Sequence, residues 1–264
     1  MVRGLLASVM VGILCAVMGT YVVLRGMAFL GDAMAHAILP GVAIAYLLHG
    51  NLLVGAMIAA VVIAISIGFF SKGGAVKEDT AIGILFAAAL SLGVALISSI
   101  QTYAVDLSHI LFGNVLGVSP SDLWLTAGLG LLVLATVALL YKQFLVISFD
   151  PILAATLRLP AELLRKLMLI LLALTVVVSL QTVGVGLAAA MLVTPAATAY
   201  LLTHRLGAMM LVSATIGAVS SLVGLYLSYY LNIVSGSAIV LTATAIFLLV
   251  FLFHPRRGVL WKKK

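Results

Sequence analysis

Asp32 and His36 stand one helical turn apart in the run Gly-Asp-Ala-Met-Ala-His-Ala-Ile-Leu-Pro (31–40), and every other residue of that run is apolar or small. Residues i and i+4 of a helix share a face, so a carboxylate oxygen and an imidazole nitrogen can converge on one point. Mixed oxygen and nitrogen donors suit first-row divalent ions such as zinc, manganese or iron(II), and the lack of a thiolate disfavours copper(I). Pro40 has no N–H, which predicts a bend at that turn and a His36 carbonyl released from helical pairing as a third donor. Two blander readings stay open from the residues alone: a structural ion pair, or Asp32 as the cap of a helix that begins at Ala33.

The elements that must position this pair are membrane helices. The chain of 264 residues is 65% hydrophobic and only 8% charged, against about 25% charged residues in a soluble domain. Apolar stretches near 4–24, 27–48, 52–70, 80–100, 122–141, 166–184, 187–203, 208–230 and 237–253 are candidates for spans of about 20 residues. The seventh is short and carries Thr194-Pro195, so it reads as a broken or re-entrant element, which leaves eight or nine spans in an all-α polytopic bundle. No loop is long enough to hold a core of its own, so residues 1–264 form a single transmembrane domain. Ionisable groups inside such spans are costly, and they mark a partner, a cavity or a transported ion.

Charge sets the expected orientation. Arg25, Lys72 and Lys77, the group Lys142, Arg158, Arg165 and Lys166, then Arg205 and the tail Arg256 to Lys264 all fall on one side of a nine-span chain. By the positive-inside rule that side is the cytoplasm, with Arg3 the one dissenter. The net charge of +7 is then an inner-surface property that meets anionic lipid, and its scatter over short loops argues against nucleic acid. Cys15 is the only cysteine, so no disulfide forms within the chain. The first apolar run continues to about residue 24, longer than the core of a signal peptide, and reads as a span.

Several other positions carry candidate roles. Thr194 and Pro195 form a second helix interruption, a gate or a packing hinge, with a plain kink as the alternative. Gly12, Gly19, Gly184, Gly186, Gly217 and Gly224 read as close-packing positions. Glu78 and Asp79 precede the fourth span, where acidic groups favour the positive end of a helix dipole; the alternative turns one of them inward as a further metal-pathway residue. Asp106 and His109 lie in the expected outer loop and could belong to the same pathway. Between 148 and 160, Phe149, Asp150, Pro151, Arg158 and Pro160 outline a short helix, with Asp150 as cap and Pro151 in the first turn, suited to docking a cytoplasmic partner, with an ordinary connector as the alternative.

The run from Leu24 to Ala45 that contains the Asp/His pair resembles the signature of the ABC-3 permeases, the membrane subunits of bacterial zinc, manganese and iron importers. The likeness continues through Glu78-Asp-Thr-Ala-Ile-Gly83, His109-Ile-Leu-Phe-Gly-Asn114, Ser148-Phe-Asp150, the run Leu192 to Tyr200 and Ser235 to Leu241, and so covers nearly the whole chain. It implies a fold like that of the cobalamin-type importers, and a permease in the bacterial cytoplasmic membrane that works beside a second copy of itself. Two cytoplasmic ATPase subunits and an extracytoplasmic metal-binding protein would be its other partners. A divalent metal would be the substrate, manganese favoured, with no permanently bound cofactor. The chain has no Walker-type glycine loop, so ATP would be hydrolysed by the partner and the chain itself is not an enzyme. On the same resemblance Asp32 and His36 match the metal-binding positions and the 150–160 segment matches the coupling helix.

Two departures stand out. Arg158 occupies a place where the resemblance leads one to expect Gly before Leu-Pro, and the chain begins close to its first span, without the short amphipathic lead often seen. Metal would enter between two copies, be held by neutral His36 and ionised Asp32, and bind more weakly as pH falls. A secondary transporter using the pair as an ion relay is the competing class. An intramembrane metalloenzyme is disfavoured because the chain has no His-Glu-x-x-His run, and a purely structural subunit would tolerate Asp32→Ala.

Overall fold

The computed structural model describes residues 2–72, 76–98, 117–149 and 151–253. Asp106, His109 and Asp150 lie outside the described residues. Twelve helices make up the described chain. They are α1 Val2–Leu24, α2 Leu30–Ala37, α3 Leu39–Leu47, α4 Leu52–Phe70, α5 Glu78–Ser98, α6 Pro120–Leu139, α7 Tyr141–Phe149, α8 Pro151–Thr156, α9 Ala161–Val183, α10 Val185–Leu202, α11 Leu206–Leu231 and α12 Ser235–Phe253.

Taking α2 and α3 together, nine described segments are long and apolar enough to cross a membrane. The seventh is neither broken nor re-entrant: α10 is continuous, with Pro195 inside it. A proline removes one hydrogen bond and tilts a helix, and here both Pro195 and Ala196 are buried, so packing holds the two halves in line. The sixth span starts earlier than expected, at Ala161 behind the N-cap Pro160. Arg165 and Lys166 therefore sit in its first turns rather than in a loop, and Lys142 belongs to α7.

Helix α1 is the axis of the bundle, packed against α6, α9, α10 and α11. Small residues make that possible. A Cβ built on Gly12 would lie 2.9 Å from the Gly217 carbonyl oxygen, and one on Gly19 would run into the Leu192 carbonyl. Lipid supplies no hydrophobic drive between helices, so such close backbone approach and hydrogen bonding between spans do the joining. Ser221 Oγ donates to Ser8 O at 3.0 Å, and Ser213 Oγ donates to Ala16 O at 2.8 Å. Gly224 packs on α12 in the same way, and Gly41 of α3 on Gly55 of α4.

Two glycines depart from the packing expectation. Gly186 has open space where a Cβ would go. Gly184, at φ 87°, is the single residue between α9 and α10, a left-handed backbone that suits glycine because it has no Cβ. One end of the bundle gathers Arg25, Lys77 and Arg165 around a single cavity. At the other end Gln181 Nε2 donates to Asp122 Oδ1 at 3.2 Å, near the cap residue Asn51.

Candidate functional site

The span that carries the Asp/His pair is split in two by its sequence. Pro40 sits in the first turn of α3, and Ile38 links α2 to α3. The His36 carbonyl, deprived of its helical donor, accepts the Ile38 N–H instead, which engages one of the two lone pairs of the third donor expected from the sequence. Capping by Asp32 is also set aside. The N-cap is Phe29, which makes no side-chain cap bond, and Asp32 lies within the first turn. Its charge suits the helix N-terminus there.

Asp32 Oδ1 and His36 Nε2 are 3.8 Å apart, too far for a hydrogen bond. Two ligands about 2.1 Å from a tetrahedral ion stand about 3.4 Å apart, so a small side-chain rotation closes this pair on a metal. The Asp32 side chain is 48% exposed and that of His36 30%, whereas Ala33, Met34 and Ala37 on the other faces of α2 are buried. Phe86 of α5 fixes the height of the pair. Its ring meets Phe29 at 5.4 Å and His36 at 6.2 Å between centroids. Phe86 is eight residues past Glu78 and twelve before Ser98, which is about 12 Å and 18 Å along α5 at the helical rise. The pair is therefore deep in the bundle, yet open sideways.

Gly31 allows this placement, because a Cβ there would lie 2.9 Å from Leu192 Cδ2 and 3.6 Å from Ala189 Cα of α10. Thr194 and Pro195 lie just beyond Leu192 on that helix, where Pro195 is buried, so they shape the wall behind α2. Gly93 of α5 plays a similar part against Leu39 and Pro40, from whose Cβ and N a Cβ would be 2.8 and 3.1 Å away. Among the described residues no group of three or more His, Cys, Asp or Glu could hold a metal. Among these residues one copy brings two side-chain donors together here, Asp32 and His36.

Glu78 and Asp79 do not reach this pair. Glu78 opens α5, and its carboxylate pairs with Arg165 Nε and stands 3.6 Å from Arg25 Nη1. Arg165 Nη2 also donates to Ser71 O at 3.3 Å, at the carbonyl end of α4 where a cation is favoured. Burial pushes the Arg25 guanidinium down from its ordinary value; Glu78 opposes this and Arg165 adds to it. Asp79 lines the adjoining cavity of about 690 Å³ with Lys77 and Glu162. Sequence reading missed this cluster, along with Phe29 and Phe86, although Glu78 and Arg165 within an apolar chain were signal enough to ask what each pairs with.

The 148–160 segment forms α8 as expected, but its stop is not Pro160. Arg158 N–H donates to Ala155 O at 3.0 Å and Leu159 N–H to Ala154 O at 3.0 Å, a Schellman ending whose penultimate residue must be left-handed. Arg158 takes that conformation at φ 52°. This is the physical reason glycine would be expected there. Phe149, Ile152 and Leu157 are 59%, 80% and 55% exposed, so the tip of α7 and α8 presents apolar side chains outward beside the basic cavity.

The comparisons with known proteins agree with this layout. A family model described as ABC 3 transport family matches residues 1–254. The "Manganese transport system membrane protein MntC" of Halalkalibacterium halodurans is 48% identical, over 99% of this chain and 91% of that protein. The "Probable iron transport system membrane protein" of Haemophilus influenzae is 39% identical over 100% of this chain and 93% of its own length. Among solved structures, "PsaBC from Streptococcus pneumoniae in complex with Fab" superposes with a TM-score of 0.84 at 40% identity, covering 97% of this chain and 92% of that one.

Proposed function

The chain belongs to the ABC 3 transport family, and from that footing we propose that it is the membrane-spanning permease of an ATP-driven importer of a divalent transition metal, with manganese(II) the favoured substrate. Relatives at 48% identity are named for manganese transport, while iron and zinc share the same donor preferences. One observation carries the mechanism: a carboxylate and an imidazole lie deep in the bundle, open to the side, with no third His, Cys, Asp or Glu grouped with them among the described residues. A carboxylate half-exposed to hydrocarbon would be costly. A second copy facing this surface would cover it and would bring Asp32 and His36 again, making a four-donor site of two oxygens and two nitrogens.

Transport follows from that arrangement. Manganese(II), delivered by an extracytoplasmic binding protein, enters between the two copies and exchanges water for the Asp32 and His36 side chains. Phe29 and Phe86 orient the imidazole from one side, and α10 backs α2 from the other. The basic end is the cytoplasmic face of the bacterial inner membrane. There the apolar tip of Phe149, Ile152 and Leu157, together with Pro151, Arg158 and Pro160, docks on two ATPase subunits that hydrolyse the ATP.

The test is uptake of manganese, zinc and iron by proteoliposomes holding this chain with its ATPase and binding protein. ATP-dependent uptake of manganese, lost in Asp32→Ala and His36→Ala while the complex still assembles, is the expected result. Full uptake by both variants would move the metal path elsewhere. Uptake without the ATPase would replace the reading with an ion-coupled secondary transporter.

A further inference from the structure

The cluster at the basic end is not a settled ion pair. One carboxylate, Glu78, faces two guanidiniums, and in this structure only that of Arg165 is within hydrogen-bond range. Arg165 holds that position, while Arg25 Nη1 stands 3.6 Å from the same oxygen, buried and, among the described residues, without a hydrogen-bond partner. A small displacement of either arginine would hand Glu78 from one to the other, and an element with two discrete partners of similar chemistry is the kind that switches rather than deforms.

What the three residues are attached to gives the switch a direction. Arg165 lies in the second turn of α9, directly after α8, whose fully buried Ala154 faces the same cavity. Glu78 is the first residue of α5, the helix whose Phe86 touches Phe29 and His36. Arg25 follows α1, seven residues before Asp32, in the short turn where Leu30 N–H donates to Met27 O at 2.9 Å and α2 begins. Movement of α8 therefore reaches α9 and Arg165 first, then Glu78, and then the two elements that set the Asp/His pair.

We propose that Glu78 is a transmitting residue that passes from Arg165 to Arg25 when α8 and α9 are moved from the cytoplasmic side, and thereby shifts α5 and the start of α2 around the metal pair. This rests on the permease reading above. In the state described here Glu78 is with Arg165. In the other state it is with Arg25, whose Nη1 would then gain a close acceptor, and Arg165 keeps the Ser71 carbonyl as its remaining partner. None of the three touches the metal; they act through α2 and α5.

The informative variant is Arg25→Gln, because it removes the waiting partner and leaves the close Glu78–Arg165 pair intact. A cluster that only holds the fold together would barely notice it. Manganese(II) uptake and ATP hydrolysis are measured together in proteoliposomes with the complete transporter, and the readout is metal moved per ATP hydrolysed. We expect hydrolysis within about twofold of wild type and metal per ATP lowered about tenfold or more, in the range of coupling between distant sites. Arg25→Lys, which restores the charge, should recover most of the ratio. Arg25→Met keeps the apolar stem without the buried charge and is read the same way if the Gln variant does not assemble. An unchanged ratio, transport and hydrolysis falling in proportion, or no recovery with Lys would each overturn the proposal. A wild type without ATP-dependent uptake would instead overturn the permease reading, so the two failures are distinguishable.

Discussion

Adding one methyl group at Gly12 should damage this protein more than adding one almost anywhere on its surface. The α1–α11 crossing is set by backbone contact: a Cβ on Gly12 would stand 2.6 Å from Ser221 Oγ, 2.9 Å from Gly217 O and 3.2 Å from Gly217 C. Ordinary contact begins about half an ångström further out than the carbonyl allows, and a helix backbone cannot turn aside as a side chain can. The helices must part, which costs about 1–3 kcal/mol as overpacking. Parting them also weakens the bond from Ser221 Oγ to Ser8 O, worth about 0.6 kcal/mol or somewhat more between membrane helices. The sum is about 2–4 kcal/mol, which for a chain of this size lowers the melting midpoint by on the order of 5–10 °C. Thermal unfolding of the detergent-purified protein, followed by light scattering or intrinsic fluorescence, measures it. Gly128→Ala is the control, since nothing lies within 4 Å of its Cβ position on exposed α6. If Gly12→Ala melts with wild type, or if Gly128→Ala is equally harmful, the claim that backbone contact sets this crossing is wrong.

Three further outcomes follow from the same structure. Arg158→Gly should raise stability by about 0.5–1 kcal/mol by relieving a left-handed residue, whereas Arg158→Val should lower it by about 1 kcal/mol or more, both read from melting midpoints. Asn51→Ala removes the acceptor for Leu53 N–H at 2.9 Å and should cost about 1 kcal/mol as a lost helix cap. On the proposed role of Asp32 and His36 as ligands, protons compete with manganese(II) for these side chains, so metal affinity of the assembled transporter, followed by titration, should fall from neutral to mildly acidic buffer, and a flat profile would exclude the pair as ligands.

How much was legible in the sequence differs by length scale. The spans could be read because twenty apolar residues are a local signal. Asp32 and His36 could be read because their spacing and the helical period are also local. The start of α9 was misplaced because Glu162, Arg165 and Lys166 look like a loop. Their helix is tolerated there because Arg165 meets Glu78 and Ser71, which lie 87 and 94 residues away in the sequence. Phe86 was missed for the same reason, since nothing in the α5 pattern says that it abuts α2. Pro195 looked like a break, yet the packing of α1 on Leu192 and Ala196 holds α10 continuous. Gly184 and Gly186 illustrate the limit of composition: two glycines one residue apart, one demanded by its backbone angle and the other facing open space.

The one-residue turn at Gly184 also bears on how the chain is made. Helices of 23 and 18 residues meet there with no segment between them for the insertion machinery to hold on the far side. The turn leaves no polar group of its own stranded, because Gly184 N–H donates to Leu180 O at 3.0 Å and its carbonyl accepts the Ala188 N–H at 3.1 Å. Such a hairpin can enter lipid already folded, as the backbone rule for hydrocarbon requires. The pair is then expected to insert as a single unit, and a reporter domain spliced at residue 184 should disrupt insertion rather than report on it.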